Sequence, residues 1–406
     1  MSESTTQNKV QNKDHVLVYD GIKGLSCLVI MLVHYRFTTV NFPAMLPYIA
    51  LHAFFVLSAF LITKNLFYEK ERINTFGLYI KQFYIKRTLR IFPIYFLYIF
   101  LIVGFSAVLY FLHKMPVFLA NEWRNFGWLQ FTFMSNLREF IAIFKGYDNY
   151  VKTAPVFVHL WSVSLEEQFY FFIVFVVFFC NKQVLRVMCI VAIIIFPIIR
   201  IFGYYYLLHF SNDELATTLS IAHAPFFQFD VFFYGILPNV FNLRNFKTTY
   251  KWMLISLCFL LTWATLNAFY ISHQHGISFF EVIREDNYLY RNYGIIFIDS
   301  IANFCVLCVV LTASWYPGKL KFITTKFWLV IGMPSYSIYV FQFLFLIFSF
   351  FITVFFKRHL PLALAEILGC LLFLVTTVFS STLLFKFIEV PMFKLKSKFA
   401  EKIVAK

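Results

Sequence analysis

The stretch best equipped for chemistry is His-Leu-Trp-Ser-Val-Ser-Leu-Glu-Glu-Gln-Phe-Tyr, residues 159–170, which carries Glu166 and Glu167 into the apolar run from Phe171 to Cys180. A charged side chain inside a membrane helix costs on the order of 2.5–3.5 kcal/mol on insertion scales, so such a residue is a functional candidate by default. Helical positions three and four apart share a face, which gathers Ser162, Glu166 and Tyr170 into one polar stripe with His159 close by. Glu167 has Val163 and Phe171 as its four-residue neighbours but Ser164 and Tyr170 at three. Glu166 is therefore the favoured inward carboxylate and Glu167 the alternative. A carboxylate of this kind is useful beside a histidine, whose imidazole exchanges protons near neutral pH. His34 is the first candidate.

The elements that must position these groups are membrane helices. Of 406 residues, 61% are hydrophobic and 14% charged, with a mean hydropathy of +0.74, against roughly 25% charged residues in a soluble domain. At about 20 apolar residues per span, about ten helices are expected, near 16–36, 45–63, 89–112, 158–180, 184–208, 222–242, 250–271, 292–314, 327–352 and 362–389. The expected fold class is all-α, a polytopic membrane helix bundle. A tail at 1–15 precedes the transmembrane domain at 16–390, and a basic tail at 391–406 follows it. The net charge of +15 raises nucleic acid as a partner, but the basic residues lie between apolar segments, so no nucleic-acid partner is expected. Their excess on the amino-terminal side of the bundle places both termini in the cytoplasm. The polar start and the many later apolar runs argue for an anchoring first helix rather than a cleaved signal. All seven cysteines lie in or beside apolar runs, and Cys305-Val-Leu-Cys308 lacks a second pair, so no metal site is expected.

This topology assigns depths. His34 lies eleven residues beyond Lys23, about 16 Å along a helix, so Lys23 is inner and His34 outer. The helix carrying Glu166 descends from outside, which puts Glu166 at the depth of His34. His52 enters from outside and either approaches His34 or sits in the core on a backbone carbonyl. Arg200 and Asp230 fall in the outer half as a structural ion pair or as substrate contacts. At the inner end of the third helix, Lys86-Arg87-Thr88-Leu89-Arg90 reads either as a headgroup anchor or as a phosphate grip, Arg87 and Arg90 being three apart on one face. The loop at 113–157, with Trp123 and Trp128, is placed to cap an external site.

Taken in order, these segments resemble the integral-membrane acyltransferase-3 family, whose members include bacterial surface-glycan O-acetyltransferases. The resemblance rests on Asp20-Gly21-Ile22-Lys23 with His34, on Phe54 to Ser58, and on Lys86-Arg87 with Arg90 and Pro93. It continues through His159 to Tyr170, Ser335-Tyr336-Ser337-Ile338-Tyr339 and Glu389-Val390-Pro391, and so covers most of the chain. Lys23, Ala59, Gln228 and Gln342 stand where the family usually has arginine, glycine, arginine and histidine.

The resemblance implies a bacterial inner-membrane enzyme that takes an acyl group, usually acetyl, from cytoplasmic acyl-CoA. The acceptor is a hydroxyl of a cell-surface polysaccharide, such as lipopolysaccharide, or of a lipid-linked oligosaccharide outside. No permanently bound cofactor is expected, and the bilayer is itself a partner. His34 is the expected general base, with Glu166 orienting it, and an acyl-histidine is the variant; Lys23, Arg87 and Arg90 would bind the CoA phosphates. The expected substrate contacts are Trp161, Ser162, Glu167 and Tyr170 in the opening stretch, with Arg200, Asp230, Tyr339 and Gln342 elsewhere. The alternative is a glycan exporter or export-complex subunit on the same scaffold, whose polar residues line a path without acyl transfer; a non-catalytic membrane scaffold is a third reading.

Overall fold

A computed structural model describes residues 2–35, 37, 45–146, 156–211, 214–241, 243, 248–276, 278–279, 282, 294–395 and 399. Residues 147–155 of the expected outer loop and the end of the basic tail lie outside these residues. The described residues form helices and turns, without a strand. In chain order the α-helices are α1 (Ser2–Tyr35), α2 (Met45–Lys70), α3 (Phe76–Phe111), α4 (Val117–Phe131), α5 (Arg138–Phe144), α6 (Leu160–Phe179) and α7 (Lys182–Leu208). There follow α8 (Glu214–His223), α9 (Pro225–Gln228), α10 (Asp230–Val240), α11 (Thr249–His275), α12 (Gly294–Trp315), α13 (Lys326–Gly332), α14 (Ser335–Lys357) and α15 (Leu362–Leu384). A 3-10 segment, Pro317–Thr324, precedes α13, and a π-helical turn, Phe385–Glu389, follows α15.

Among the described residues, eight helices are long and apolar enough to cross a membrane, or nine if the bent pair Asp299–Trp315 and Pro317–Thr324 is one span. The chain is a multi-pass membrane protein. The expectation of about ten spans differs at 222–242, which is broken into α8, α9 and α10. Ala224 is extended (φ −72°, ψ 140°) ahead of Pro225, the conformation that a following proline favours. Two other boundaries move. α1 reaches back to Ser2 through the stretch expected as a tail, and α3 starts at Phe76 rather than near 89.

Lipid-facing surfaces are apolar. On α7, Val187, Ile190, Val191, Ile194, Ile198 and Phe202 are exposed at helical spacing, while Leu185, Cys189, Ala192 and Arg200 are buried on the other side. That is the inverse of a soluble amphipathic helix, because the surrounding solvent is hydrocarbon.

The chain forms two compact units. The first comprises Met1–Leu61, Val231–Ile338 and Phe345–Phe379; the second comprises Ile62–Asp230, Tyr339–Leu344 and Ser380–Lys406. In the first, α1 packs backbone to backbone on the 3-10 segment and α13. A methyl group at Gly21 would strike the Ile323 carbonyl, one at Gly24 the Trp328 carbonyl, and one at Gly332 the Asp20 carbonyl. Small residues allow this approach, the usual device for joining helices where hydrocarbon supplies no hydrophobic drive. Cys27, Met31, Ile331, Ile338 and Phe373 fill the core beside it. Ala59, in place of the usual glycine, is accommodated because Gly235 lies opposite its methyl group.

In the second unit, hydroxyls stitch helices to carbonyls: Tyr79 donates to Leu66 (3.2 Å), Tyr95 to Gln130 (2.8 Å) and Tyr98 to Val156 (2.6 Å). Lys70 donates to the carbonyls of Val177 (2.9 Å) and Cys180 (3.1 Å), placing a cation on the carboxyl end of α6 where orphan carbonyls and the helix dipole favour it.

Candidate active site

Within the second unit, α6 and α3 assemble one cluster from residues the sequence singled out separately. Tyr170 donates a short hydrogen bond to Glu166, four residues back on the same face. The guanidinium carbon of Arg87 lies 5.2 Å from the Tyr170 ring centroid and 5.6 Å from that of Phe83. Arg87 interacts electrostatically with Glu166, Glu167 and Arg90. Its buried Nε has no hydrogen-bond partner, and neither has the buried Oε1 of Glu167. A guanidinium held by aromatic faces keeps its N–H edge for a ligand, and buried polar atoms left unbonded are costly unless something arrives to satisfy them.

The expected separation in depth between Arg87 and Glu166 is not what the fold shows. Because α3 begins at Phe76, Arg87 stands eleven residues into it, about 16 Å from its start, and lies over the residue that binds Glu166. Lys86, at the same level, is paired with Glu69 (2.6 Å).

The amino-terminal turn of α6 is a joint. His159 Nε2 donates to the Val340 carbonyl (2.8 Å), with its ring stacked on Phe343 at 4.7 Å. Ser162 Oγ and the Tyr339 hydroxyl lie 2.6 Å apart, and each is within reach of the His159 carbonyl, at 3.1 and 3.0 Å. Gln342 donates to the Tyr339 carbonyl (3.1 Å). Ser162, Tyr339 and Gln342 thus come together, fastening residues 339–344 to α6.

Arg200 and Asp230 are both fully buried and form a bidentate pair (2.8 and 2.9 Å), with Arg200 also donating to the Phe227 carbonyl (2.7 Å). Their geometry is that of the structural alternative. Lys23, in the first unit, pairs with Asp20 at 2.9 Å. In the same unit the Nε2 of His52 lies 3.9 Å from Asp299 Oδ1. His34 is partly exposed at the end of α1.

A second polar network joins α4, α5, α6 and α8. Arg138 grips Glu122 through Nε (2.8 Å) and Nη2 (2.7 Å), and its Nη1 lies 3.6 Å from Glu139. Glu139 faces His223 Nδ1 at 3.3 Å, and the His223 ring stacks on Trp161 with centroids 4.1 Å apart and planes 21° apart. Burial alone would raise the Glu139 carboxyl, but the His223 hydrogen bond and charge, helped by Arg138, bring it below its ordinary value. Of this network the sequence reading named only Trp161. Glu139 and His223 are 84 residues apart, and no spacing rule links them. The nearest signal was a carboxylate and an arginine side by side in a loop rich in tryptophan.

Residues 17–386 match the family described as Acyltransferase domain. The peptidoglycan O-acetyltransferase OatA of Listeria monocytogenes serovar 1/2a (strain ATCC BAA-679 / EGD-e) is 30% identical over 179 residues, 43% of this chain and 27% of that protein. An uncharacterized protein of Haemophilus influenzae (strain ATCC 51907 / DSM 11121 / KW20 / Rd) is 30% identical over 148 residues, 36% of this chain and 56% of that protein. The matched regions therefore span 27% and 56% of these curated relatives. No solved structure matches.

Proposed function

We propose, since the chain belongs to the acyltransferase-3 family, that it is an O-acyltransferase moving an acetyl group from cytoplasmic acetyl-CoA to a hydroxyl of an extracytoplasmic glycan. The observation that carries this reading is the open cluster around Arg87, in which Arg87 Nε and Glu167 Oε1 are buried, unbonded and electrostatically coupled. Arg87, with Arg90 three residues on, supplies planar donors for the anionic donor substrate. Tyr170 holds the Arg87 guanidinium by its ring and Glu166 by its hydroxyl, so donor binding and the carboxylate are linked through one side chain.

His34 is the general base of this reading. It takes the proton of the acceptor hydroxyl as that oxygen attacks the thioester carbonyl. The carbon–sulfur bond then breaks, and the departing CoA thiolate receives a proton. Glu166 serves as the carboxylate that favours the imidazolium, and Lys23 adds positive charge for the phosphates. Both termini lie in the cytoplasm in this scheme, in a bacterial inner membrane. The acceptor class follows from the named relative, a peptidoglycan O-acetyltransferase, with lipopolysaccharide and lipid-linked oligosaccharides as the other candidates.

The test uses purified protein in liposomes with radiolabelled acetyl-CoA and a panel of peptidoglycan strands, lipopolysaccharide and lipid-linked oligosaccharide. Label is expected in one glycan with wild-type protein and in none with a correctly inserted His34→Ala variant. Substantial transfer by that variant removes His34 from the mechanism. Wild-type protein that labels no member of the panel overturns the acyltransferase reading in favour of the exporter.

A further inference from the structure

The acyl-transfer scheme leaves the buried Glu139–His223 pair without a task. His223 is 5% exposed. One ring face is covered by Trp161, and Nδ1 is committed to Glu139, whose position is fixed in turn by Arg138 in the grip of Glu122. Nε2 makes no hydrogen bond with any of the described residues. Nδ1–H donates to the Glu139 carboxylate, which leaves Nε2 as the ring's remaining hydrogen-bonding atom. The orientation is the one a carboxylate imposes on a working histidine.

The surroundings select the ligand. Glu122 and Glu139 face Arg138 and His223, so the network holds no excess of cations for a phosphate. A hydroxyl, uncharged and able both to donate and to accept, suits these surroundings and the remaining ring nitrogen. Trp161, which holds His223, precedes Glu166 by five residues on α6, about 7.5 Å along the helix. An oligosaccharide with one hydroxyl at His223 is long enough to reach the level of Glu166.

We propose that His223 Nε2, held by Glu139 and Trp161, is a hydroxyl-binding subsite for the glycan acceptor, distinct from the Arg87 cluster that receives the donor. This rests on the acyl-transfer reading. His223 is the contacting residue; Glu139 and Trp161 are positioning residues.

The experiment is steady-state transfer with whichever panel glycan the wild type acetylates, comparing wild type with His223→Phe, which keeps the stacking on Trp161 and removes the ring nitrogens. The acceptor KM should rise about tenfold, the scale of one hydrogen bond to a buried group, while the KM for acetyl-CoA stays unchanged. His223→Gln, which restores a side chain able to donate and accept, should recover part of that loss. An unchanged acceptor KM in His223→Phe overturns the subsite while leaving the acyltransferase reading intact. A wild type inactive on the whole panel overturns that reading, and the subsite falls with it. Should His223→Phe fail to fold, carbethoxylation of wild-type His223 by diethyl pyrocarbonate decides the matter. Protection by the acetylated glycan supports the subsite, and equal modification with and without glycan overturns it.

Discussion

Two arginine–carboxylate sites in the same unit have opposite designs. At Arg200 and Asp230 every hydrogen bond described is internal: a two-pronged clamp and a backbone carbonyl, with no exposed surface on either residue. At Arg87 the guanidinium rests on the rings of Phe83 and Tyr170, and Glu167, coupled to it electrostatically, keeps a buried and unbonded Oε1. The first arrangement ties α7 to the break between α9 and α10, and its charges are spent on each other. The second holds charge in readiness. A buried arginine–carboxylate pair therefore points to structure where both carboxylate oxygens are clamped, as at Asp230, and to function where one is left unbonded, as at Glu167.

The comparison can be broken first at the closed pair. Arg200→Ala should destabilise the protein by about 3–5 kcal/mol, because it leaves Asp230 buried and uncompensated. Fluorescence-detected size exclusion in detergent should show loss of the monodisperse peak, and a peak like that of wild type would mean that the pair is not structural.

The Glu139 network extends the contrast to pH. Its folded-state value lies below the ordinary carboxylate value, so the stability it contributes is complete above about pH 4.3 and is lost as pH falls through the lower folded value. Thermal melts of wild type should therefore lose more stability on acidification below about pH 4 than those of Glu139→Gln. Parallel curves would detach Glu139 from His223. A smaller effect is expected at the α6 joint. Ser162→Ala should cost about 1 kcal/mol of stability by removing one buried hydrogen bond to Tyr339. At the open cluster, Glu167→Gln should leave the melting temperature unchanged or raised, since it neutralises an unsatisfied buried oxygen, while transfer falls. A large drop in melting temperature would reclassify Glu167 as structural.

Much of this was legible in the chain. Apolar runs specify membrane helices directly, and the stripe of Ser162, Glu166 and Tyr170 follows from helical spacing. The pairing of Tyr170 with Glu166 is a local i,i+4 contact of that kind. Boundaries were harder. Lys86, Arg87 and Arg90 look like an interfacial anchor, which hid the start of α3 at Phe76 and the true level of Arg87. Ala224-Pro225 carried a break signal that a continuously apolar segment obscured. Contacts between distant segments left no trace in spacing. The Gly21 and Gly24 approach to Ile323 and Trp328 depends on tertiary packing, and so does the meeting of Glu139 with His223. The interleaving of residues 339–344 with the second unit is of the same kind.

The most direct test of the account is acetyl-CoA binding by Arg87→Ala in detergent or liposomes, with folding matched to wild type by its melting curve. The variant should melt like wild type, bind acetyl-CoA at least tenfold more weakly and transfer about 10²-fold less acetyl, the scale of removing one preorganised donor. A folded Arg87→Ala variant with unchanged donor affinity would return Arg87 to the role of a headgroup anchor and contradict the assignment of the open cluster to the donor.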